Sequence, residues 1–273
     1  MSHTRQYTAA RDALLDQVTR ALQEDERFLA AWLAGSFGRG TQNQFSDLDL
    51  HVVVADAYSE ALCASSWRES GRTTDKRLAL FKQFGTPSVI YDAHQNAPAG
   101  GAFTYVLYAE SAINIDWMLI PEVGAQREHD SLLLFDKVGI PLEKPEEPET
   151  QEERVERMSK NVSGFWMFAT AGISNLVRHD FLHFHWCLLI MNLSILDVRA
   201  ALQGEKLKYL GKRYSVSYAT WQEQATALLR LCDEMEELMP AVVEMGGYVP
   251  FSPRTAVETR LAIVKEAMDI TQR

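Results

Sequence analysis

Cysteine is scarce in this chain. Cys63, Cys187 and Cys232 are far apart and show no Cys-x-x-Cys spacing, so neither a disulfide framework nor a zinc site is expected, and free thiols in a reducing compartment are. Positive charge is also short: 27 Lys and Arg face 37 Asp and Glu, a formal net charge of -10. That field repels a phosphate backbone and disfavours a long nucleic-acid substrate. It attracts a cationic small molecule or a basic protein instead. The N-terminal stretch MSHTRQYTAARDALLDQ has no apolar core of a signal peptide, which makes a cytoplasmic location the expectation. Internal repeats and low-complexity segments are missing too.

Long uncharged runs are few. Asn161 to Val177 carries no formal charge and approaches bilayer-spanning length, but it contains Asn161, Ser163, Thr170, Ser174 and Asn175. Arg178, His179 and Asp180 follow, and then a second run, Phe181 to Leu196, is interrupted by His183, His185, Asn192 and Ser194. This polar content fits helices buried against each other, and no membrane contact is expected.

What is present is enough apolar material for a real core: 273 residues, 47% hydrophobic, with aromatics spread throughout, predict two domains. Thr8 to Gln23 has helical spacing at Ala10, Leu14, Leu15, Val18 and Leu22. Phe28 to Ala34 reads as a buried strand ending at Gly35, and Asp47 to Val54 as a second strand. Pro87 to Tyr91, Phe103 to Tyr108 and Ala112 to Ile120 are rich in β-branched and aromatic residues, and Leu132 to Phe135 adds an edge. The acidic, proline-punctuated PLEKPEEPETQEE then marks a boundary. Beyond it, helices are expected at about Glu152 to Leu176, Phe181 to Gln203, Tyr218 to Leu238 and Thr255 to Gln272, with Gly204 and Pro240 as stop signals. The prediction is an α+β chain: a mixed-sheet domain over residues 1–142 followed by an all-α helical bundle over 150–273.

The chemistry concentrates in Trp32-Leu-Ala-Gly-Ser-Phe-Gly-Arg-Gly40 and Ser46-Asp47-Leu48-Asp49-Leu50. A strand that ends in Gly35-Ser36 and turns into a short helix presents backbone N–H groups and the Ser36 hydroxyl to an anion such as the phosphates of a nucleotide. Gly38 and Gly40 allow close backbone approach, and Arg39 sits either where a guanidinium meets a triphosphate or in solvent. Asp47 and Asp49, two apart in a strand, emerge on one face while Leu48 and Leu50 turn inward. Such a pair, with substrate phosphate and water, suits magnesium. Asp116 is a lone carboxylate in the apolar strand Ile113-Asn-Ile-Asp-Trp-Met-Leu-Ile-Pro121, where burial without compensation costs several kcal/mol, and it is the expected third acid. Asp92 competes for that role, but its strand-end position beside His94 and Gln95 is explained by exposure. The alternative for Ser46-Asp47 is a capped turn satisfying backbone donors, which leaves Asp116 unexplained.

Gly35-Ser36, Gly40 and Ser46-Asp47-x-Asp49 together resemble the signature of the nucleotidyltransferase superfamily that includes DNA polymerase β and the antibiotic nucleotidyltransferases. The resemblance covers the N-terminal domain to about Pro121. It implies transfer of a nucleoside monophosphate from a nucleoside triphosphate, ATP by default, to an acceptor, with release of pyrophosphate. It further implies that Asp47 and Asp49 bind two magnesium ions, that Asp116 completes the site of the ion activating the acceptor, and that Gly35, Ser36, Arg39 and Ser46 surround the nucleotide. The general base varies within the superfamily; Glu152, Glu153 and Glu156 are possible bases, but a solvated acidic helix start explains them without catalysis. A small-molecule acceptor is expected, a cationic aminoglycoside or a lincosamide in the first instance. A protein acceptor and a non-catalytic nucleotide-binding regulator are the alternatives.

Other features have structural explanations. His179 and His183 share a helix face, but His185 points elsewhere and no fourth ligand is near, so zinc is not expected. Phe165, Trp166, Phe168, Phe181, Phe184 and Trp186 read mostly as core, with one or two left for an acceptor pocket. Lys160 and Arg178 are either triphosphate contacts or surface residues.

Overall fold

The computed structural model describes residues 3–64, 73–145, 147–178, 180–206, 220–250, 253–259 and 261–262. The chain divides into two compact units, Met1–Glu146 and Glu147–Arg273.

The first unit opens with α1 (His3–Glu24), which places Leu14, Val18 and Leu22 against the sheet core. Next come β1 (Phe28–Leu33), the four-residue turn of helix α2 (Gly35–Gly38), β2 (Leu48–Val54), α3 (Asp56–Cys63) and α4 (Asp75–Phe81). β3 (Pro87–Asp92), β4 (Ala102–Tyr108), β5 (Asn114–Pro121) and β6 (Leu132–Asp136) complete a six-stranded sheet in the order β3-β4-β5-β2-β1-β6. β2 and β5 are parallel and the other neighbours antiparallel. The mixed sheet expected from the sequence is therefore present.

Alternation decides which face does what. Leu48, Leu50 and Val52 of β2 and Ile115, Trp117 and Leu119 of β5 point into one apolar core with Phe81 and Phe84, each such residue contributing about 1.5–3 kcal/mol when fully buried. The intervening Asp49, His51, Asp116 and Met118 lie on the opposite face and are half-buried.

The second unit contains α5 (Gln151–Val177), α6 (Phe181–Leu202) and α7 (Trp221–Glu244), and residues 253–259 are also helical. The helix expected at Thr255 to Gln272 falls largely outside the described residues. Phe165, Ile173, Phe184, Leu188, Leu228 and Met235 share one core. Thr150 and Thr220 start α5 and α7 with capping boxes closed by Glu153 and Glu223.

Pro240 does not stop α7 but lies inside it. The bond lost at its missing N–H is offset by continued packing, since Val242 is buried in the same core with Met239 and Met245 against it. Several polar residues in the two uncharged runs are held locally: Asn161 donates to Asp197 at 2.7 Å, Asn192 to the Leu188 carbonyl at 2.9 Å and Ser194 to the Ile190 carbonyl at 3.1 Å. By length and composition α6 is the one helix among the described residues able to cross a membrane, and half of its most apolar window is buried within the protein.

Candidate active site

β2 is the element that builds the site. Asp47 immediately precedes it and Asp49 is its second residue, and parallel pairing sets Asp49 directly beside Asp116 of β5. One carboxylate oxygen from each of Asp47, Asp49 and Asp116 lies within 4.8 Å of the other two, and all three residues are half-buried. Three like charges at that separation repel strongly where solvent is partly excluded. A hard divalent cation reverses the sign of that interaction, and all-oxygen carboxylate donors suit magnesium. Among the described residues this is the single group of three or more acids, histidines or cysteines able to hold a metal ion.

The turn after β1 is shaped around Asp49. Gly35 has φ +60, and a Cβ there would stand 1.8 Å from Asp49 Oδ2, so only glycine fits without displacing the carboxylate. Ala34 donates its N–H to the Asp49 carbonyl at 2.9 Å, tying the turn to β2. The Ser36 hydroxyl is buried and has no hydrogen-bond partner among the described residues. An orphaned donor costs about 1–3 kcal/mol, and a phosphate oxygen is a partner of the right chemistry. Gly38 packs on the Asp130 backbone, where a Cβ would come within 2.2 Å of the carbonyl oxygen. Arg39 caps α2 and is exposed.

Ser46 follows the capped-turn alternative. It is buried, and its hydroxyl accepts the Asn43 N–H at 2.9 Å, closing the loop that leads to Asp47. Asp92 differs from expectation, being buried rather than exposed. The Arg77 guanidinium, 1% exposed, donates to it at 2.7 Å and Thr104 donates to its other oxygen at 2.7 Å. Fifteen residues separate Arg77 from Asp92, and nothing in the local pattern marks them as partners.

Arg11 was not singled out by the sequence pattern. Its guanidinium donates to the Asn43 and Ser46 carbonyls at 2.9 and 3.3 Å and lies 4.9 Å from the centre of the Phe37 ring. One buried cation thus fixes both α2 and the loop before Asp47. A lone Arg on the buried side of an amphipathic helix was the available signal. Farther along the carboxylate face, His51 Nδ1 lies 3.1 Å from Glu128 Oε1, and Trp32 donates its indole N–H to the other oxygen. Burial pushes the Glu128 carboxyl up, but these partners leave it below the usual carboxylate range.

In the helical unit, Glu153 is occupied as a cap, its carboxylate accepting the Thr150 N–H at 2.8 Å and held low by it. Glu152, Glu156, Lys160 and Arg178 are exposed. His183 donates its backbone N–H to Asp180 and its ring lies 5.5 Å from that of Trp186, His185 is half-buried, and His179 lies outside the described residues.

Residues 15–99 match the family described as the nucleotidyltransferase domain. The N-terminal unit carries a nucleotidyltransferase domain, the type found in transferase enzymes. The match includes the Gly35-Ser36 turn, Asp47 and Asp49 and stops before Asp116. The chain is also similar to the crystal structure of an aminoglycoside 6-adenyltransferase from Bacillus subtilis, with 17% identity over 92% of this chain and 97% of that one. The TM-score is 0.28, and no conclusion about this nucleotidyltransferase domain rests on that likeness. No curated protein matches the chain.

Proposed function

We propose that this protein transfers a nucleoside monophosphate, AMP from ATP by default, to a hydroxyl of a small-molecule acceptor. The observation that carries the reading is the meeting of Asp47, Asp49 and Asp116 within 4.8 Å beside a glycine turn that contains a buried, unsatisfied serine hydroxyl. Asp47 and Asp49 would hold two magnesium ions, and Asp116 would complete the site on the acceptor side. When bound, such ions lower the pKa of an attacking hydroxyl and neutralise a leaving pyrophosphate. The Gly35-Ser36 turn positions the triphosphate, with Ser36 donating to a phosphate oxygen and Arg39 near enough in sequence to approach its charge. The acceptor oxygen forms a bond to the α-phosphorus as the α–β anhydride bond breaks, pyrophosphate leaves and the hydroxyl proton passes to solvent. The chain's own contribution is orientation of the two reactants in line.

The formal charge of -10 supports a cationic acceptor such as an aminoglycoside, with a lincosamide as the companion class. The helical unit is proposed to share in acceptor recognition. A cytoplasmic location is also part of the reading, supported by three free, buried cysteines.

The test is magnesium-dependent pyrophosphate release with each of the four nucleoside triphosphates against aminoglycosides and lincosamides, in wild type and in Asp47→Ala/Asp49→Ala. Turnover that disappears in the double variant is expected. Tight magnesium-nucleotide binding without turnover on any small molecule would overturn the acceptor class, redirecting it to a protein or to a binding role.

A further inference from the structure

The strand register extends the carboxylate row beyond Asp116. Tyr105 of β4 stands opposite Asp116, and Tyr91 of β3 stands opposite Tyr105. Cross-strand partners share a face with Cβ atoms roughly 4.5–5.5 Å apart, so Asp49, Asp116, Tyr105 and Tyr91 form one row across four adjacent strands. The alternate residues of β4, Thr104, Val106 and Tyr108, are buried on the other face. Tyr105 is half-buried, and Tyr91 is 52% exposed. The fold therefore spends two large aromatic rings on a surface beside its acids, where core packing does not call for them.

The acid cluster has two different flanks. Toward β1 lie the Gly35-Ser36 turn and its buried hydroxyl; toward β4 and β3 lie the tyrosines. With triphosphate on the serine flank, the tyrosine flank faces the attacking group. We propose that Tyr105 and Tyr91 form a stacking platform for a rigid, polyhydroxylated ring, a sugar-like acceptor whose ring hydroxyl is thereby presented to the carboxylates at Asp116. A tyrosine ring offers an apolar face to the C–H face of such a ring, and its phenol exchanges hydrogen bonds with the ring hydroxyls. A flexible protein hydroxyl has no ring face to lay there. The inference rests on the nucleotidyl-transfer reading for the identity of the reacting partner and the flank it occupies; ring binding itself is measurable without turnover.

Saturation-transfer NMR with two probes, kanamycin A and the uncharged methyl α-glucopyranoside, tests it. Wild type should transfer saturation to ring C–H protons of both. The signal should fall roughly fivefold to tenfold in Tyr91→Ala/Tyr105→Ala and survive in Tyr91→Phe/Tyr105→Phe. Titration of the same variants with magnesium-ATP should match wild type. Equal signals in wild type and the alanine variant, or no signal in wild type, overturn the platform. So does weakened ATP binding in the tyrosine variants, which would make the platform a base site. Failure of the transfer reading would appear elsewhere, as ATP binding indifferent to Asp47→Ala/Asp49→Ala, while the ring signal at the tyrosines is scored independently.

Discussion

The two faces of the N-terminal sheet treat the same side chain in opposite ways. On the covered face, Asp92 is buried and meets a guanidinium and a threonine hydroxyl. On the other, Asp47, Asp49 and Asp116 meet each other. A carboxylate held by Arg77 and Thr104 serves stability, whereas three gathered together bring like charges close, an arrangement that an external cation would favour. Asp49 and Leu50 are neighbours in the chain and belong to different tasks because a strand turns successive side chains to opposite faces.

That contrast can be broken most severely at Asp49. Asp49→Asn is expected to lower turnover by at least about 10²–10³-fold, the size seen when one preorganised electrostatic group is removed, with melting temperature unchanged or raised through relief of repulsion. Leu50→Ala should do the converse, destabilising by about 2–5 kcal/mol in urea titration while turnover per folded molecule persists. If both variants lose stability and activity together, the two faces are not functionally separate.

On the covered face, Arg77→Met strands Asp92 and should destabilise by about 3–5 kcal/mol, read as a lower urea midpoint. Adding Asp92→Leu should recover much of that loss, whereas no analogous recovery of turnover is expected for any pairing with Asp49→Asn.

A smaller effect concerns the buried thiols of each unit. Burial pushes the Cys63 thiol up to about 11 and the Cys232 thiol up to about 12. Both are neutral in the fold below the ordinary thiol range near 9. Their stabilising preference for the neutral form is complete there, and is lost as pH rises from about 9 through 11 and 12. Iodoacetamide labelling at pH 8, followed by mass spectrometry, should be slow in native protein and fast in urea, and the urea midpoint should fall between pH 9 and 11.

Legibility followed range along the chain. The strands of β1, β2 and β4 and the helices α5 and α6 were readable because their period is local, and the Gly35-Ser36 and Asp47-x-Asp49 spacing was readable for the same reason. Asp116 was nominated by a charge out of place in an apolar strand; its position beside Asp49 needed the parallel register of β2 and β5. Asp92 was misread, since the cation that buries it comes from α4. Ser46, expected near the nucleotide, closes the turn before Asp47 with its hydroxyl, as the capped-turn alternative expects. Pro240 was read as a stop because a local rule carries no term for the core contacts of Val242. Tyr105 had no signal, as an aromatic in a strand looks the same on either face.

The parallel pairing of β2 with β5 also sets a schedule. The hairpin of β1 and β2 carries two of the acids and is complete early in synthesis, but the third arrives only after β3 and β4 have left the ribosome. A nascent chain that has displayed Asp47 and Asp49 still lacks the full cation site until β5 docks between β2 and β4, so a ligand that needs all three acids recognises only a finished domain. Nucleotide and metal would then act as inspectors of completed chains, holding closed the β2–β5 junction at which the third acid joins the first two.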